Sequence, residues 1–209
     1  MNNGYSKTGG YALISGSLLA ILTMGLHPAA GNFEHLRKII PINITAHSLG
    51  ILAMLFLLFG FLALKKVFTD GQPLSSAAFI ATAAGLCSGI LAATFNGLAL
   101  SIFINQYQNP TPEMIESLRP VIKYNFALNH AFDYIMIAGI NIAILLWGII
   151  ILKTKLLSKW LAYYGFILNA AFLILVVMGI MLVDLHGFRI FVLGIVSWIV
   201  AAGWLLKRA

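Results

Sequence analysis

The side chains in this chain that could do chemistry are His27, His47, Asn96, Asn129, His130, Asp133 and His186. Neutral imidazole and carboxylate suit a transition metal such as Zn²⁺ or Fe²⁺, and three protein ligands with one open position would activate a water. In that reading His27, His47, His130 and Asp133 are the candidate metal ligands. Asn96, Asn129 and His186 are further ligand-binding groups. There is no His-x-x-x-His or His-Glu-x-x-His spacing, P-loop, nucleotide fingerprint, nucleophile elbow or zinc-finger pattern, so a site must be assembled from separate segments. One segment does show a face: His130, Asp133, Ile137 and Asn141 fall at i, i+3, i+7 and i+11, a single stripe of a helix.

The elements that position these residues belong to a bilayer. Of the 209 residues, 61% are hydrophobic and only 9% charged, where a soluble domain carries about 25% charged residues. Such a composition cannot cover a water-facing surface. It excludes disorder, a disulfide framework (Cys87 is the one cysteine) and a conventional nucleic-acid-binding domain, despite a net charge of +7. A membrane-crossing helix needs about 20 predominantly apolar residues. Six stretches qualify: 10–26, 42–64, 74–104, 121–152, 160–183 and 186–206. The alternation of a membrane β-barrel is absent. Lys7, the first apolar run and Ala29-Ala30-Gly31 imitate a signal peptide, but the run is long for one and reads as a retained helix. The fold class predicted is all-α, one six-helix membrane domain over 1–209, arranged as three helical hairpins.

Sidedness follows from the basic residues. Lys7, Lys65, Lys66, Lys153, Lys155, Lys159, Lys207 and Arg208 share one side with a single acid, Asp70. The other side balances Arg37, Lys38, Arg119, Lys123 and Arg189 against Glu34, Glu113, Glu116, Asp133 and Asp184. The first side is therefore cytoplasmic, with both termini, in a bacterial inner membrane. All five histidines, His35 included, fall in the outer half. At 1.5 Å per residue, His47 stands about 27 Å above Lys65 and Asp133 about 30 Å above Lys153. Polar groups inside a span avoid lipid, so this layer is expected to form an outer-leaflet pocket. The third span, rich in Ala, Gly and Ser, reads as a central helix. Its Gly85-x-x-x-Gly89 leaves a homo-oligomer open. Trp147, Trp160, Trp198 and Trp204, with Tyr163 and Tyr164, include interfacial anchors. Asp184 is placed to cap the sixth helix, and Thr111-Pro112-Glu113 to open a short amphipathic helix before the fourth.

Several functions fit this layer. A metal site there would support lipid-directed hydrolysis or redox chemistry. Haem b held by His47 and His130 is a second reading, opposed by the lack of inner-side histidines for a second cofactor. A vestibule for a small molecule or ion, or part of a transport path, is a third, although the midplane offers only Asn141 and Asn169. A structural or accessory subunit of a membrane complex, its histidines merely wetted by headgroups, is the rival from a different class. The partners expected are the lipid bilayer and a lipid or small molecule from the outer side, with no nucleic acid.

Gly25-Leu26-His27-Pro28, His47, Leu128-Asn129, Ala143-Ile-Leu-Leu-Trp147, Asp184-Leu-His186-Gly187 and Trp198 occur in an order that resembles an uncharacterised family of six-helix bacterial integral membrane proteins. In that pattern Gln commonly follows the Asn at 129 and no acid is fixed at 133. The resemblance therefore carries His27, His47 and His186 rather than His130 and Asp133. It implies the architecture and brings no activity with it.

Overall fold

The apolar stretches become helices that satisfy their own backbone, as lipid requires. The computed structural model describes residues 3–68 and 73–208, and there is no strand among them; Asp70 lies outside the described residues. The helices are α1 (Asn3–Leu26), α2 (Phe33–Lys38), α3 (Ile40–Val67), α4 (Pro73–Ala93), α5 (Leu100–Asn105), α6 (Pro112–Thr154), α7 (Lys159–Val177) and α8 (Leu185–Leu206). A π-helical turn, Thr94–Ala99, joins α4 to α5 without a break. Six helical segments are long and apolar enough to cross a membrane: α1, α3, α4 through α5, α6, α7 and α8. This is a multi-pass membrane protein by length and composition.

Each crossing helix packs on the next. α1 lies against α3 and α8, α3 against α4, α4 against α6, α6 against α7, and α7 more lightly against α8. α4 and α6 approach closely, so that a Cβ on Gly139 would lie 2.9 Å from the Cα of Gly85. Gly89 meets Met54 and Met136. The GxxxG pair is thus spent on contacts within the chain. Toward the lysine-bearing end the core closes around Trp147, fully buried, whose Nε1 donates to Thr82 Oγ1 at 3.2 Å. Trp198 is equally buried and donates to the Leu161 carbonyl at 2.9 Å. Trp147 and Trp198 are therefore core residues rather than interfacial anchors. Trp160, Tyr163 and Trp204 are exposed, with Lys207 Nζ 4.0 Å above the Trp204 ring.

Two boundaries differ from expectation. The amphipathic segment after Thr111 is no separate short helix. Pro112 opens the helix as predicted, and Thr111 Oγ1 accepts from the Met114 N–H, but the helix then runs 43 residues, through Pro120, to Thr154. Proline inside a helix leaves one carbonyl without its donor. Here Leu118 and Ile122, on either side of it, are held in a second apolar cluster with Phe33, Leu36, Leu100 and Ile104. At 1.5 Å per residue α6 is about 65 Å long, twice the hydrocarbon thickness. Its first turns, with α2 and α5, form a cap at the histidine-bearing end. Arg37 pins that cap by donating to the Gln108 carbonyl.

The fifth crossing helix stops at Val177, not at 183. Gly179 takes a positive φ of 84°, its N–H bonds the Val176 carbonyl, and the Ile180 N–H bonds the Leu175 carbonyl. This is the Schellman termination, which favours glycine. The chain then folds over the start of α8, close enough that the Met181 carbonyl occupies the place of a Cβ on Gly187. Asp184 caps α8 as expected, its Oδ1 accepting from the Gly187 N–H at 2.7 Å.

Candidate functional site

At the histidine-bearing end, α1, α3, α4, the π turn, α6 and α8 surround a cavity of about 410 Å³. Six of the seven expected residues line it: His27, His47, Asn96, Asn129, His130 and Asp133. The seventh, His186, is exposed and absent from the lining. The cap hydrogen bond fixes Asp184 two residues earlier, and Asp184 borders the cavity in its place.

The π turn organises the α3 wall. A widened turn disturbs the regular ladder of carbonyl acceptors, and such turns recur at functional sites. Asn43, one helical turn from His47, meets it: Nδ2 faces the carbonyls of Asn96 at 3.1 Å and Gly97 at 3.4 Å and donates to Ser101 Oγ at 3.0 Å. Only glycine fits at 97, because a Cβ there would overlap the Cβ and Cγ of His47. His47 is buried, and its Nδ1 lies 2.8 Å from the Asn43 carbonyl.

A carbonyl can only accept, so Nδ1 of His47 carries the proton and Nε2 is left as an acceptor in the neutral ring. His27 repeats this arrangement, with Nδ1 3.0 Å from the Pro28 carbonyl. The two ring centres are 4.7 Å apart with planes inclined at 54°. Burial is the main influence on His27 and lowers its pKa from the ordinary 6.5; the Pro28 carbonyl opposes this, and Arg189 adds a smaller lowering. Arg189 Nη2 donates to the His27 carbonyl at 3.0 Å, tying α8 to the end of α1.

On the α6 wall, Asp133 is buried and accepts from Asn129 Nδ2 at 2.7 Å. Ser88 of α4 donates to the neighbouring Phe132 carbonyl at 2.8 Å, holding this turn against the bundle. His130 and Tyr134, one turn apart, are exposed and border the cavity together with Met181 and Asp184. These residues edge a mouth between α6 and the segment preceding α8. Below the polar groups the lining turns apolar: Met54, Leu57 and Leu86, then Ile140, Ile195 and Ile199. From His47 to Leu57 the α3 wall descends about 15 Å.

The expected four-ligand metal set is not assembled. Among the described residues, no three His, Cys, Asp or Glu side chains are grouped so as to hold a metal ion. The reason is placement: His27 and His47 meet across α1 and α3, while Asp133 is engaged by Asn129 on α6. The imidazoles that meet are also not the His47 and His130 pair of the haem reading. Two metal–nitrogen bonds alone span about 4 Å, so ring centres 4.7 Å apart admit no porphyrin plane between them.

Sequence reasoning missed Thr23 and Tyr134 as lining residues, and weighed Asp184 only as an alternative to Asp133. Tyr134 was within reach, standing one helical turn after His130. Asn43 was marked by its depth alone, and Gly97 had no signal, since a π turn has no residue signature. No family model, curated protein or solved structure matches the chain, so the function rests on this geometry.

Proposed function

We propose that the protein crosses a bacterial inner membrane as three helical hairpins with both termini cytoplasmic, and that its cavity binds an amphiphilic small molecule taken from the outer leaflet. The observation that carries this reading is the graded lining of one cavity. Histidine, asparagine and aspartate are gathered at the end with the mouth, and methionine, leucine and isoleucine lie below. Pockets for small ligands share this composition, mostly apolar walls with a few placed polar groups. A headgroup at the level of His47 and Asp133 would put its tail along Met54 and Leu57. With two imidazoles but no third donor beside them, the polar end serves hydrogen bonding rather than a zinc-type hydrolytic centre;.

Native mass spectrometry of protein released from lipid nanodiscs tests the reading. The wild type is expected to retain one bound amphiphile, and Met54→Trp, which fills the middle of the cavity, to lose it. Equal retention by the variant overturns the proposal.

A further inference from the structure

The acceptor-rich polar end also specifies the kind of head it takes. We infer that the bound amphiphile carries a hydrogen-bond-donating cation, an alkyl or aryl ammonium; this rests on the cavity reading above. The acceptors are set by the backbone. Nδ1 of His27 and of His47 each donates to a carbonyl, which leaves both Nε2 atoms to accept a hydrogen bond from a ligand;. One of the two N–H groups of Asn129 is already spent on Asp133;. The lining includes two carboxylates, Asp133 and Asp184, and no lysine or arginine, in a chain whose net charge is +7.

Phe126, Tyr134 and Phe188 border the same end of the cavity. Aromatic rings attract cations, most strongly where water is excluded. Arg189 is the guanidinium bonded to the end of α1. It does not line the cavity, and its Nη2 is committed to the His27 carbonyl, although its buried Nε has no partner. A carboxylate head would face Asp133 with the neutral donors of Asn96, Asn129 and Tyr134 in the lining to meet it. An ammonium head faces acceptors it can satisfy.

The test compares dodecylamine, dodecanol and dodecanoate binding to the full chain in phosphatidylcholine nanodiscs, with empty nanodiscs as the partition background. Wild type is expected to bind the amine about tenfold more tightly than the alcohol, and Asp133→Asn to erase that preference while still binding the alcohol. The wild-type series decides the question even if the variant folds poorly. Alcohol bound as tightly as amine, or dodecanoate preferred, overturns the cationic head and leaves the cavity reading standing. No binding of any of the three above background overturns both.

Discussion

A β-carbon at Gly97 would overlap His47, so alanine there forces either the π turn or the imidazole out of place. Overpacking of this kind costs about 1–3 kcal/mol. Gly97→Ala is expected to lower thermal stability by that amount, and the loss to shrink in a His47→Gly background, since residues in contact are non-additive. Equal losses in both backgrounds would separate the two residues. His27 gives a pH prediction. Its folded pKa lies below 6.5, so below that pH the unfolded chain is the better proton acceptor. The stability associated with neutral His27 is present above 6.5 and lost as pH falls through the folded value. His27→Gln should flatten the acid side of the stability profile in detergent, and an unchanged slope would refute this. Most of these residues were legible in advance. Basic-residue counts gave His47 and Asp133 a common depth, and the helical period turned Asp133 inward. His186 was misplaced because depth says nothing about direction in a first turn, where the Asp184 cap decides which side chain meets the cavity.

At the scale of the helices, termination separates what hydropathy reads from what backbone geometry imposes. The run from Trp160 to Val183 is apolar throughout, yet α7 ends where Gly179 adopts φ 84°. Gly179→Ala is expected to destabilise by about 1 kcal/mol or more, because a β-carbon is strained at positive φ. Gly25→Ala serves as the contrast: it lies inside α1 with nothing within 4 Å of the added carbon, and should be neutral or stabilising. Thermal midpoints of the two variants, falling in the reverse order, would contradict the cap. Pro120 marks the opposite failure. A proline reads locally as a break, but Leu118 and Ile122 are fastened on both sides of it by α2 and α5, and tertiary packing outweighs the missing bond.

For the molecule as a whole, charge predicts orientation. A green fluorescent protein fused at the C-terminus should fluoresce, and alkaline phosphatase placed between Asn109 and Pro110 should be active; the inverse pattern would turn the chain over and move the cavity to the cytoplasmic leaflet. The six crossings and their order were legible because lipid permits few alternatives to continuous apolar helices. The cap was not, since it depends on contacts between segments far apart in sequence: Phe33, Leu100 and Leu118. The π turn beneath the cap also acts as a phase shifter. One extra residue in a turn delays everything after it by about 100° of rotation around the helix axis. Without that delay, Leu100 and Ile104 would be turned by about 100° from the face that meets Phe33 and Leu36;. A six-residue irregularity, Thr94–Ala99, thus sets the angular register between α4 and the cap residues that follow it.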